Sequence, residues 1–257
     1  MIRGLYTAAS GMMLQMVRQD VTANNLANVS SSGYKKDNII AGAFSEMLLN
    51  RWGENQEIGG RIVKKPAAKI GRIGTGAGVV DIFTDFSIGN LTKTDNSTDL
   101  AIGKPDGYFA VETPEGEKFT RSGEFKLDYD GLLTTNQGYP VLDYYNNYIY
   151  IDGEFTVDSA GNIILDGEPV TRLRIVGFEN PRNLTKSGDN LFSSDEEGFL
   201  LENPEIVQGY VEKSNVNAVK EMVTLISVVR AYESLQKVVQ AEDETVKVAV
   251  DQVGSVL

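Results

Sequence analysis

The two ends of this chain read as long helices with matched apolar stripes, and that pairing of ends limits the folds open to it. Met222, Leu225, Val229, Tyr232, Gln236, Val239, Asp243, Val246, Val250 and Val253 recur in alternating steps of three and four. This spacing draws one stripe along a helix, the seam of a coiled coil. Near the start, Ile2, Leu5, Ala9, Met12, Met16, Gln19, Ala23 and Leu26 do the same. All seven prolines lie between the two ends, from Pro66 to Pro204, as uninterrupted terminal helices require. Beyond Asn215 the only glycine is Gly254. A helix from about Asn215 to Gln252 would be roughly 57 Å long at ~1.5 Å per residue, with Ser214 or Asn215 as its N-cap. The first helix is expected from near Leu5 to just before Ser30-Ser31-Ser32-Gly33, with Gly11 costing it about 1 kcal/mol relative to alanine. Two seams at opposite ends of a chain can close on each other or on neighbouring copies, which points to assembly.

The middle has a different texture. Tyr108–Val111, Lys118–Leu127, Tyr139–Leu142, Tyr148–Ile151 and Arg172–Phe178 are rich in aromatic and β-branched residues and read as strands. Turn signals separate them: Pro114-Glu115-Gly116, Asn136-Gln137-Gly138 and Asp166-Gly167 among others. One motif recurs: Gly123-Glu124-Phe125 through Gly131 matches Gly153-Glu154-Phe155 through Gly161 as GEFxxDxxG. A strand running into a turn, used twice, accounts for it better than a solenoid does. Between the first helix and the strands, Phe44–Trp52 is compatible with further helix. The glycine-rich stretch from Glu54 to Gly78 reads as linker or edge structure. The expected fold class is therefore α+β: a terminal helical domain of coiled-coil type from residues 1–36 and 214–257, a linker or edge segment at 37–80, and a central β-rich domain at 81–213.

Charge and composition exclude several chemistries. The 257 residues carry a formal charge of −12, which argues against nucleic acid, whose binding rests on cationic side chains. Four basic and one acidic residue give residues 1–36 a charge of +3; four basic and six acidic give residues 214–257 a charge of −2. Opposite signs favour pairing of the ends, though exposed charges contribute little. With no Cys and no His, disulfides, thiolate catalysis and a Ser-His-Asp triad are impossible, and the usual zinc sites lack their ligands. The start MIRGLYTAASGMMLQMVRQD lacks the unbroken apolar core of a cleavable signal peptide, and no run approaches the ~20 apolar residues of a transmembrane helix.

The most distinctive stretch is Ala23-Asn24-Asn25-Leu26-Ala27-Asn28-Val29-Ser30-Ser31-Ser32-Gly33-Tyr34-Lys35-Lys36. Three asparagines in five residues are poor helix filler, because their amides compete with the backbone. They mark either a helix end passing into a turn or amides that pair across a subunit contact. This segment resembles the N-terminal signature of the flagellar rod and hook axial proteins. Gly89–Val111 (GNLTKTDNSTDLAIGKPDGYFAV) and Phe119–Val141 (FTRSGEFKLDYDGLLTTNQGYPV) are similar to that family's middle motifs, and Gln208–Ser234 (QGYVEKSNVNAVKEMVTLISVVRAYES) to its C-terminal one. Four matches in family order span both ends and much of the centre. The likeness is closest to the distal-rod protein and its sisters.

The resemblance implies a structural axial subunit of the bacterial flagellar basal body, not an enzyme and without cofactor. Its expected partners are itself, other rod and hook subunits and the flagellar export apparatus, through which it would leave without a cleaved signal. Neither nucleic acid nor a small-molecule substrate is expected. The residues expected to carry self-assembly are Leu5, Met12, Met16, Asn24, Asn25, Leu26 and Asn28 at one end. At the other they are Met222, Leu225, Val229, Tyr232, Val239, Val246 and Val250. Competing chemistries are weak. Asp128-Tyr129-Asp130-Gly131 lacks the remaining ligands of a calcium loop, and Gly71–Gly78 lacks the Gly-Lys-Ser/Thr ending of a phosphate loop. A glycosidase using two carboxylates needs neither His nor Cys, but nothing in the sequence sets two acids at the required spacing. A secreted glycan-binding β-module has no use for two helical seams.

Overall fold

The computed structural model describes residues 2–43, 46–51, 55–58, 61–64, 68–74 and 76–254. The architecture is α+β, with one long helix at each end of the chain and strands between them. The chain divides into two compact units. One comprises Met1–Ala23, Asn38–Ile82 and Met222–Leu257; the other comprises Asn24–Asp37 and Phe83–Glu221.

The first unit holds most of α1 (Ile2–Ala27) and α2 (Ala218–Gly254). A methyl group added at Gly4 would lie 2.7 Å from Glu242 Oε1, and one at Gly11 would lie 3.1 Å from Leu235 Cδ1. Seven residues forward along α1 correspond to seven residues back along α2, so the helices run antiparallel. They meet where α1 offers no side chain, which permits a close approach. The helix start is Asn217, not Ser214 or Asn215: Asn217 Oδ1 accepts the Lys220 N–H at 3.0 Å, the bond an N-cap makes. Ser214 accepts instead from Val216 N–H. The Asn215 amide is committed elsewhere.

Between the helices the first unit carries three strand pairs nested in sequence. β1 (Asp37–Ala43) pairs with β6 (Ala77–Thr84), β2 (Glu46–Arg51) with β5 (Ala68–Gly74), and β3 (Asn55–Ile58) with β4 (Arg61–Lys64). The expectation of helix across Phe44–Trp52 is thus corrected for Glu46–Arg51, while Phe44, Ser45 and Trp52 lie outside the described residues. A nine-residue stretch is too short to hold a helix unaided. Antiparallel pairing of Glu46–Arg51 with Ala68–Gly74 satisfies the same backbone groups.

The second unit is built on a six-stranded antiparallel sheet. Its order is Thr185–Lys186, Leu191–Ser193, Gly116–Thr120, Gly107–Thr113, Ile175–Gly177 and Phe199–Leu200. The central strand Gly107–Thr113 is buried on both faces. Phe109 and Val111 point into a core with Leu100, Phe125, Leu133 and Ile163. Tyr108 and Ala110 point into a second core with Phe119, Phe178 and Phe192. Period-two alternation therefore feeds two apolar layers. The GEFxxDxxG motif is a strand and turn used twice. Phe125–Leu127 and Phe155–Val157 are strands that each bury their phenylalanine. Each turn closes on a glycine with left-handed φ, +76° at Gly131 and +90° at Gly161. The expected strand Lys118–Leu127 breaks after Thr120, because Arg121 turns into the interior.

Candidate functional site

The seam residues of the two helices divide between an inward and an outward face. On α1 the buried positions are Ala8 and Leu14, in line with Gly4 and Gly11. Leu5 and Met16 are exposed, Met16 by 51%, and Met12 is half-buried. On α2 Val228 is buried and Leu225, Val229, Tyr232, Leu235 and Val239 are half-buried, while Met222, Val246 and Val250 are exposed. On α1 the stripe that closes the helices on each other therefore sits about one residue away from the expected seam. One residue is about 100° of helix rotation. A second apolar face, with Leu5, Tyr6, Met13 and Met16 on α1 and Val219, Met222, Val223 and Ile226 on α2, faces solvent.

The asparagine-rich motif lies where α1 gives way to β1, and its amides are engaged within the chain. Asn25 is buried; its Nδ2 donates to Asp37 O at 2.9 Å and its Oδ1 accepts from Asp37 N–H at 2.9 Å. This two-way bond ties the helix end to the strand after it. Tyr34 Oη donates to Asn24 Oδ1 at 2.8 Å, and Asn28 Nδ2 donates to Asn24 O at 2.9 Å. Asn24 itself stays exposed, while Leu26 and Asn28 are half-buried. Gly33 has φ +69°, and a Cβ there would fall 2.3 Å from Ser122 N, so this crossing point has no room for a side chain.

Behind that crossing is a buried ion cluster. Lys35, Arg121 and Glu212 are each at most 2% exposed. Lys35 Nζ lies 2.6 Å from Glu212 Oε1 and Arg121 Nε lies 2.5 Å from Glu212 Oε2. Gly89 N–H also donates to Glu212 Oε1 at 2.7 Å. Further donors reach backbone oxygens: Lys35 Nζ donates to Ser87 O at 2.7 Å, and Arg121 to the carbonyls of Gly107 and Ile102. Burial lowers the Lys35 ammonium pKa, against the pull of Glu212 in the other direction. Beside the cluster, Gly33 N–H donates to Glu212 O at 2.7 Å, and Lys36 N–H to Asn215 Oδ1 at 2.9 Å. Asn215 Nδ2 donates onward to Asp85 O at 2.8 Å. The chain leaving α1 and the chain entering α2 are thus bonded to each other at one point. Glu212 and Arg121 were not picked out from the sequence, although both sit inside its quoted motifs.

A polar groove of about 650 Å³ runs past the same motif, lined by Asn24, Asn28, Ser32, Glu124, Asn136 and Asp189. Both Glu124 oxygens accept hydrogen bonds, from Ser32 and from Asn136. The Asp128–Gly131 stretch is a turn in which Asp128 accepts from Tyr129 and Gly131 N–H. Among the described residues no cluster of acids is arranged to hold a metal ion.

Comparison with known proteins decides what this arrangement belongs to. Residues 5–35 match the family described as flagella basal body rod protein, residues 104–164 the flagellar hook protein FlgE/F/G D1 domain, and residues 207–251 the flagellar basal body rod FlgEFG protein C-terminal region. The flagellar basal-body rod protein FlgG of Buchnera aphidicola is 34% identical over 95% of this chain and 97% of its own length. The chain belongs to the flagellar basal-body rod protein family. Other relatives include the flagellar hook-basal body complex protein FlhO of Bacillus subtilis, 31% identical, and the rod protein FlgF of Caulobacter vibrioides, 30% identical. Each is covered, like this chain, over its full length. The two terminal matches of this rod-class structural protein contain the residues that bond the helix ends together: Asn25, Gly33 and Lys35 in one, Glu212 and Asn215 in the other.

Proposed function

We propose that this rod protein self-assembles into the helical tubular shaft of the flagellar basal body, linking motor to hook. The observation that carries this reading is the second apolar face of the helices. The antiparallel stripe is closed within one chain, yet Leu5, Met13, Met16, Met222 and Val223 remain exposed. Apolar surface left out after a helix pair has formed is surface for further helices. Residues 1–36 and 214–257 act as the polymerisation domain, with coiled-coil-type packing between copies. The partners are further copies, other axial subunits and the flagellar export apparatus. The role is structural and not enzymatic.

Deletion of the coding sequence should abolish motility and stop basal bodies short of the hook. The wild-type chain should restore both, and be recovered in purified basal bodies. A Met16→Asp chain, exported and folded, should restore neither. Full motility in the deletion strain, or absence of the chain from purified basal bodies, would contradict this function.

A further inference from the structure

In the second unit, the turn at 143–147 and the strand Glu168–Arg172 together present an exposed aromatic patch. Glu168–Arg172 is the outer strand of a three-stranded sheet, behind Phe155–Val157 and Asn162–Leu165. Pro169 removes one donor from that edge, which discourages strand addition and leaves side chains as the means of contact. Tyr145 is 77% exposed and Val170 59%, with Tyr144, Tyr148 and Tyr150 also exposed. The turn is fixed to the strand by Tyr144 N–H donating to Arg172 O at 2.8 Å and Thr171 Oγ1 donating to Asp143 Oδ2 at 3.0 Å.

At the centre of the patch the Arg172 guanidinium lies 5.9 Å from the Tyr144 ring centre. It is held in place by donating to the carbonyls of Ala160, Leu201 and Glu202. Two hollows of about 310 and 370 Å³ share this Tyr144–Arg172 pair. Val170 and Tyr145 line the first, Leu201, Glu202 and Asn203 the second, and Arg172 is the cation that lines both. Exposed tyrosines around a fixed arginine are the composition of an interface centre. Asn146 and Asn147 beside them add adaptable hydrogen bonding. An arginine and tyrosine hydroxyls offer donors and positive charge, and a chain of net charge −12 offers carboxylates.

We propose that this patch is a contact by which one copy of the chain grips an acidic surface of a second copy. The proposal rests on the self-assembly argued above and names a contact outside the helices. Such a contact joins two different surfaces, and a heterologous contact propagates into an open helical polymer. A glycan is the poorer occupant. The Tyr144 and Tyr145 rings stand 82° apart with centres at 5.4 Å, which makes a corner and not a flat stacking platform.

The test is the critical concentration for assembly of the full-length chain, followed by sedimentation, for wild type, Tyr145→Ala, Val170→Asp and Val170→Lys. Val170→Asp and Val170→Lys remove the same exposed side chain and differ in sign. Loss of one interface anchor should raise the critical concentration about tenfold or more for Tyr145→Ala and Val170→Asp. Val170→Lys should stay near wild type. A wild type that assembles while Asp and Lys variants behave alike overturns this contact and leaves the helical assembly standing. A wild type that never assembles overturns the self-assembly reading and the contact with it. Binding of the wild type to insoluble peptidoglycan that is lost in Tyr145→Ala, with assembly unchanged, would overturn it in favour of a glycan.

Discussion

The residue that does most to organise the helix ends is Glu212. It is the carboxylate between two buried cations, and its own carbonyl accepts the Gly33 N–H. Glu212→Gln keeps the shape and removes the charge, leaving Lys35 and Arg121 buried without a counter-ion. Breaking a buried pair in this way costs about 3–5 kcal/mol, to be read as a fall in urea midpoint with the m-value unchanged. Tyr34 sets a pH dependence. Burial first, then the Asp37 carboxylate, push its phenol from 10.0 up to about 12. The folded chain keeps that proton after the unfolded chain has begun to lose it. Its contribution to stability is therefore whole below pH 10 and is lost as pH rises through about 12. Tyr34→Phe should flatten that part of the stability curve, and an equal slope in both chains would contradict the assignment. Tyr108 is buried, and among the described residues its hydroxyl is the buried side-chain atom with no partner. Tyr108→Phe should stabilise by roughly 1–3 kcal/mol, the cost of an unsatisfied buried group. Lys35 and Tyr34 lay in a motif that the sequence singled out, but their work was hidden. The partner of Lys35 is 177 residues away, and no local pattern reports such a pairing.

At the scale of elements, the helices and the twice-used strand and turn were legible because each is written in local periodicity. The seam was legible only as an apolar surface, not as a register. Each helix carries two apolar faces about one residue apart. On α1 heptad spacing picks out the face rich in large side chains, whereas the chain closes on the one with Gly4, Ala8 and Gly11; on α2 the expected Leu225, Tyr232 and Val239 are half-buried, as is Leu235. Small residues permit the close approach, and the larger Met and Leu side chains stay outside. Gly11→Leu should therefore force α1 away from Leu235, at about 1–3 kcal/mol for overpacking. Helical circular dichroism would then melt earlier than the near-ultraviolet signal of the strand-rich unit's aromatics. A Gly11→Leu chain that melts as one transition at the wild-type temperature would contradict the helix contact. The stretch Glu46–Arg51 misled because a short apolar run fits helix or strand equally, and only its pairing with Ala68–Gly74 decides.

For the whole molecule, α1 and α2 close on each other along one stripe and leave another to solvent, and the account turns on that second stripe. Its most direct test is electron microscopy with sedimentation of the purified chain over a range of concentrations, wild type beside Met16→Asp. Met16 is 51% exposed, so the charge should leave the single chain folded, with unchanged circular dichroism. The expected result is helical rods of wild type above a critical concentration and a folded monomer of Met16→Asp at every concentration. Rods of Met16→Asp indistinguishable from wild type, or a wild type that remains monomeric even when mixed with other axial subunits, would contradict the claim that the exposed helical face builds the shaft.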